Sequence, residues 1–181
     1  MELTEYKVPD LTKKDIEDMV SIPYAVYQCQ ASSTAMYASA DYPFMLLLEE
    51  FHEYTVARSE EDTLKELGDV QWCISQCYKE LGLINHTPES GVRHDTPILV
   101  VASVLAKGMR KHQRSLVELI QDAVEVGIYD DLVMALDSLN AFCAYKAIEY
   151  GSHITEVRRD NMLKLLDRKK RKVIDGAGDN R

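Results

Sequence analysis

Four acidic side chains in the stretch LLLEEFHEYTVARSEEDTLKELGDVQW, residues 46–72, stand where a helix pair would be expected to place its core. Glu50 and Glu53 are three residues apart, and so are Glu66 and Asp69. Positions i and i+3 share one face of an α-helix, so each pair points one way. In both segments the acidic side borders the apolar stripe: Phe44, Leu47, Leu48, Phe51 and Thr55 in the first, Leu67, Val70, Ile74, Cys77 and Leu81 in the second. Carboxylates brought together repel, and without a counter-ion some take up protons. A hard divalent cation removes the conflict. Mg²⁺ takes oxygen ligands, keeps waters and is commonly completed by substrate phosphates, and Mn²⁺ accepts the same donors. The expected metal ligands are therefore Glu50, Glu53, Glu66 and Asp69. The expected chemistry is attack on phosphorus by an activated water, since no Ser or Cys is placed as an obvious covalent nucleophile. Glu49, read as a solvent-facing or supporting acid, joins Glu50 as a candidate acceptor of that water's proton. The candidate catalytic set is Glu49, Glu50, Glu53, Glu66 and Asp69. Such acidic fragments also occur on surface helices, paired with lysines. Two of them across one short turn, each beside an apolar stripe, point to metal.

The elements that must position these acids are helices. Thr12 with Asp15, Ser59 with Asp62 and Ser115 with Glu118 have the spacing of N-terminal caps. Pro23 starts or kinks a segment continuing through YAVYQCQASSTAMYASA, and DYP at 41–43 breaks it. The spacing predicts helices over 44–58 and 60–81, the second stopped at Gly82. A short linker folds them into an antiparallel hairpin, which brings the two acidic pairs to one place. Residues 83–96 read as a loop. Thr96-Pro97 opens a further helix, SLVELIQDAVEV runs to Gly127, a long helix covers 129–150 up to Gly151, and a last one covers 153–172. No segment alternates long enough to demand a sheet. The chain reads as all-α: one domain over 1–172, then a Gly-rich tail over 173–181.

Composition bounds the partners. The net charge of −9 disfavours indiscriminate or specific nucleic-acid binding. Residues 158–181 nevertheless hold nine Lys or Arg against four Asp or Glu, a basic end able to serve a polyanionic ligand or to form a solvated helix. Asn161, Lys164 and Arg168 share one side of the last helix and are candidate phosphate contacts. Trp72 is a candidate for stacking on a base, or a core residue. His52 points away from the acids on its helix. Cys73 and Cys77, four apart, lack further soft ligands for zinc. No apolar run is long enough to span a membrane, and MELTEYKVPD is too acidic and polar for an export signal. The expected setting is a reducing cytoplasm.

Three stretches, EEFHE, KELGDVQW and DNMLKLLDRKKRKVIDGAGDNR, together resemble the MazG-like group of all-α nucleoside triphosphate pyrophosphohydrolases, the last matching the closing helix and tail of phage and bacterial members. The resemblance covers about a quarter of the chain, and ELGD is its most telling part. It implies an antiparallel helical bundle of that family's type, assembled as a homodimer or homotetramer. It implies cleavage of a nucleoside triphosphate between the α and β phosphates, with magnesium on Glu50, Glu53, Glu66 and Asp69. It implies nucleotide contacts from Asn161 and Lys164. For a phage-encoded chain the setting would be the host cytoplasm. Two other readings remain open: a nucleotide-binding or regulatory protein without turnover, and a phosphohydrolase of another substrate.

One departure stands out. Compact members pass almost directly from the ELGD helix to the Asn/Lys helix, whereas about 80 residues intervene here. Residues 97–151 look like a worn second copy of the acidic hairpin. Placing Gly151 on Gly82 sets Ala135 and Ser138 where the first copy has Glu66 and Asp69. In that duplicated reading Lys107 and Lys111, with Arg110 and Arg114, would face the acidic site and receive phosphate; otherwise they form an exposed basic face.

Overall fold

A computed structural model describes residues 11–34, 37–84, 86, 88 and 96–171, and the Gly-rich tail and most of the expected 83–96 loop lie outside them. The described residues form helices and no strand: α1 (Lys13–Glu17), α2 (Tyr24–Ser33), α3 (Tyr42–Val56), α4 (Glu60–Glu80), α5 (Pro97–His112), α6 (Leu116–Gln121), α7 (Tyr129–Glu149) and α8 (Ile154–Arg171). None is long and apolar enough to cross a membrane.

The caps form as their spacing predicts. Thr12 and Asp15 make a reciprocal capping box, as do Ser115 and Glu118, and the Ser59 hydroxyl accepts from the Asp62 amide. Glu60, Glu61 and Asp62 in the first turn of α4 face the positive end of its macrodipole. Two helices stop earlier than the periodicity predicts. In α2 the hydroxyls of Ser32, Ser33 and Thr34 bond to carbonyls three or four residues back. Such local bonds compete with continued helix, and α2 ends at Ser33. In α6 the Asp122 carboxylate turns to Arg114, and a series of turns leads to Gly127 at φ +71°.

Helix α4 is the axis of the molecule, with α3, α8, α7 and α2 packed around it. Helix α5 lies against α7 and α6, while α1 and α2 lie on α8. One apolar stripe was expected on α4, but it is enclosed on several sides: Glu66, Asp69, Gln71, Ser75 and Gln76 are buried together with Leu67, Val70, Ile74 and Cys77. On α3 the expected stripe is shifted. Thr55 is exposed and bonds back to the His52 carbonyl, while Tyr54 packs on Phe51 and Phe142. The larger core joins α3, α4, α5, α6 and α7 with the start of α8, through Ile154 and Val157. A smaller one, Ile16, Ile22, Tyr27, Ala31, Met162 and Leu165, fastens α1 and α2 to α8.

Helices α4 and α7 correspond closely under a shift of 69 residues. Both are 21 residues long. Each buried residue of α7, from Leu132 to Ala147, falls on a buried residue of α4. The C-terminal turns also match: Gly82 and Gly151 sit at φ +77° and +73°, and Leu83 N–H donates to Tyr78 O as Ser152 N–H does to Ala147 O. Ala135 and Ser138, the counterparts of Glu66 and Asp69, are buried.

Truncating the axis should unfold the chain more readily than truncating its surface. Ile74→Ala is expected to cost about 2–5 kcal/mol in urea-unfolding free energy, and Ile148→Ala, on the exposed side of α7, under about 0.5 kcal/mol. Equal costs would refute the placement of α4 at the centre.

Candidate metal centre

Packing of α3 on α4 gathers three of the four expected ligands. Glu50 and Glu53 of α3 and Glu66 of α4 each offer a carboxylate oxygen, and these oxygens lie within 4.8 Å of one another. Glu66 is buried and Glu50 half-buried. The fourth acid, Asp69, is engaged by α8. Asn161 Nδ2 donates to Asp69 Oδ1 at 2.8 Å, and Lys164 Nζ forms an ion pair with Oδ2. The sequence-derived metal set and the α8 pair Asn161 and Lys164 are thus joined through one carboxylate.

The negative charge is only partly balanced. Burial, and then the charges of Asp69, Glu53 and Glu66, push the Glu50 carboxyl up to about 8, against the opposing pull of Lys164. On α4, Lys65 Nζ lies 3.8 Å from Glu66 Oε1. All the donors are carboxylate oxygens, which suit a hard divalent cation such as Mg²⁺ or Mn²⁺.

The approach of α8 depends on Gly68, the third residue of ELGD. A Cβ built there would stand 3.0 Å from Asn161 Cβ and 3.3 Å from Nδ2. Glycine lets the helices close until Asn161 reaches Asp69. Tyr27 of α2 supports Asn161 from behind, its hydroxyl donating to Oδ1 at 2.9 Å. One turn earlier on α8, buried Arg158 donates through Nε to Gln71 and through Nη2 to Asn140, so α8 is tied to both α4 and α7. A cleft of about 390 Å³ opens between the start of α4 and α8, with Leu64, Lys65, Val157, Asp160, Asn161 and Lys164 in its walls.

The other residues singled out from sequence lie as follows. Glu49 is exposed and outside the three-carboxylate group. Arg168 is half-buried, one turn beyond Lys164. Trp72 packs at the seam of the two cores, its indole N–H 3.3 Å from Thr34 Oγ1, which is the core role. Lys107 and Lys111 are exposed on α5, the helix that lies against α6 and α7. His52 is exposed. Cys73 and Cys77 are fully buried, and burial pushes both thiols up. Periodicity gave no sign of Tyr27, Gln71 or Arg158. The one available signal was an Arg three residues before Asn161 on the same helix face.

No protein-family model matches the chain, nor does any curated protein or solved structure. The geometry of the acidic cluster and of α8 therefore carries the functional reading.

Gly68→Ala should loosen the α4–α8 contact. The new methyl group should lower stability by about 1–2 kcal/mol despite the better helix propensity of Ala, and weaken Mn²⁺ binding measured by calorimetry. Unchanged stability and affinity would show that the close approach is dispensable.

The raised Glu50 carboxyl sets a pH dependence. Between its ordinary value of 4.5 and about 8 the folded chain binds more protons than the unfolded one. This group's contribution to stability therefore falls as pH rises through that window. In EDTA, the Tm of Glu50→Gln relative to the unmodified chain should rise from pH 5 to pH 8 by a few degrees. Mg²⁺ should shrink the gap by supplying positive charge to the native cluster. A pH-independent difference in scanning calorimetry would contradict the assignment.

Proposed function

We propose that this chain is a metal-dependent hydrolase that converts a nucleoside or deoxynucleoside triphosphate to its monophosphate and pyrophosphate. One observation carries the reading: three carboxylates with oxygens within 4.8 Å of one another adjoin, through Asp69, an ammonium and an amide donor on α8. Acids alone suit a cation. Acids bordered by a lysine and an asparagine, beside a cleft, suit a cation carried together with a polyphosphate.

Glu50, Glu53, Glu66 and Asp69 would hold Mg²⁺ or Mn²⁺. When bound, the ion would neutralise the carboxylates and phosphate oxygens and make a bound water a nucleophile near neutral pH. Lys164 supplies a positive charge at the edge of the cluster, where developing charge on a phosphoryl group would be met. Asn161 supplies a neutral N–H donor beside it. Glu50, whose proton affinity burial and its acidic neighbours raise, suits the role of accepting the attacking water's proton. Exposed Glu49 is the second candidate for that role. The leaving group is pyrophosphate, and attack at the α-phosphorus is the course that the MazG-like resemblance implies. The cleft beside Asn161 and Lys164 has the polar and apolar walls that a nucleoside moiety requires.

The MazG-like bundle type and the homodimeric or homotetrameric assembly belong to the same proposal. So does an internal duplication. The equal length of α4 and α7, the burial on α4 of every position buried on α7, and the C-terminal turn support it, with α5 and α7 as a second hairpin that has lost its acids, although buried Gln76 falls on exposed Tyr145. In that reading α3, α4 and α8 form the working half and the other hairpin is structural.

A screen of the eight standard nucleotides with Mg²⁺, resolving monophosphate, diphosphate, phosphate and pyrophosphate, tests the reading. Glu53→Gln and Asp69→Asn should lower kcat about 10²-fold or more while circular dichroism stays unchanged. Lys164→Ala should lower kcat/KM at least about tenfold, and Lys170→Ala, an exposed α8 residue, less than about twofold at fixed ionic strength. In ¹⁸O-labelled water the label should enter the nucleoside monophosphate. Label confined to pyrophosphate would refute α attack, and inorganic phosphate as first product would refute pyrophosphohydrolysis.

A further inference from the structure

Asn161 is the residue through which three helices of the site, α2, α4 and α8, meet. The Cβ that Gly68 of α4 lacks would stand 3.0 Å from its Cβ, Asp69 accepts from its Nδ2, Tyr27 of α2 donates to its Oδ1, and its own helix carries Lys164 one turn on. We infer that Tyr27 is a positioning residue: its hydroxyl occupies the Asn161 amide oxygen, so that toward the site Asn161 presents only its NH₂ group, donating to Asp69 on one side and to a hydrogen-bond acceptor of the ligand on the other. This rests on the nucleotide-site reading above.

The chemistry of the neighbours decides which end of the amide points where. Asp69 is ion-paired with Lys164, and an ionised carboxylate only accepts. The amide nitrogen must therefore face Asp69, and the oxygen faces the phenol. Tyr27 is fully buried, and burial raises its hydroxyl well above the ordinary range, so it keeps its proton and donates. A reversed amide would set its oxygen against the carboxylate. It would also leave the phenol hydrogen aimed at an NH₂ group. With its oxygen on Tyr27 and one N–H on Asp69, the amide has one N–H left. Asn161 lines the cleft, so this N–H is what it can offer there. The ligand atom it meets must then be an acceptor, such as a phosphate or ribose oxygen or a base carbonyl, and not an amino group.

The test uses the full chain with ¹⁵N-labelled asparagine, of which there are four, and Mg²⁺ with the best nucleotide substrate. In the unmodified protein the Asn161 side-chain NH₂ should give two well-separated, slowly exchanging proton signals. Tyr27→Phe keeps the ring and removes the hydroxyl. It should speed exchange of those two protons at least about tenfold, leave the Asn140 pair unchanged, and lower kcat/KM about tenfold, most of it in kcat. A second variant, Asn161→Asp, keeps an acceptor for Tyr27 but donates only when protonated. At pH 8 it should lower kcat/KM at least about tenfold. Unchanged Asn161 amide signals in Tyr27→Phe, or full activity of Asn161→Asp at pH 8, would overturn the inference. If the unmodified chain hydrolyses no nucleotide, the pyrophosphohydrolase reading fails by itself, and the amide exchange still decides whether Tyr27 fixes Asn161.

Discussion

Negative charge buried in a packed helix is costly, and much of this structure follows from how that charge is held on α4. Glu66 and Asp69 lie in the middle of the helix that forms the axis of the bundle, and both are buried. Asp69 is satisfied by α8 through Asn161 and Lys164, and Lys65 stands beside Glu66. Glu50, contributed by α3, is half-buried among like charges, and burial first, then those charges, raise its proton affinity. The contact between α4 and α8 is thus fastened by electrostatics as well as apolar packing. A Cβ at position 68 would stand 3.0 Å from Asn161 Cβ, so Asn161 would have to give by a few tenths of an ångström.

The same demand explains why the interior around α4 is so polar. Gln71 accepts from Arg158, which also reaches Asn140 of α7 and lies over the ring of Tyr24. These neutral acceptors bind a guanidinium between three helices and fix the rotation of α8 about its axis. That rotation directs Asn161 and Lys164 toward Asp69 rather than toward solvent. The small core of α1, α2 and α8 presses on the other side of α8 and brings Tyr27 within reach of Asn161. Structural and site residues alternate along one helix: Arg158 anchors, Asn161 and Lys164 face the acids, and Met162 and Leu165 pack. Carboxylates crowded together oppose folding, and the surrounding core must offset them.

Sequence alone determined the local structure and most of the acidic cluster. Caps depend on residues three apart, helix faces on residues three or four apart, and the ends of α4 and α7 on Gly82 and Gly151, so all of these are written within a few positions. Glu50, Glu53 and Glu66 were legible for the same reason, since two short-range patterns and one short linker suffice to bring them together. Tertiary structure decided the rest. It showed that α4 is enclosed by four helices rather than packed along one stripe, because enclosure depends on partners distant in the chain. It made Trp72 a core residue by setting Thr34 and two apolar clusters around it, and it left Lys107 and Lys111 on a helix turned to α6 and α7. It supplied Tyr27, 134 residues from Asn161, where no spacing rule connects the two. It also gave the glycine of ELGD its reason, since the Cβ that is missing there matters only when α8 lies across it.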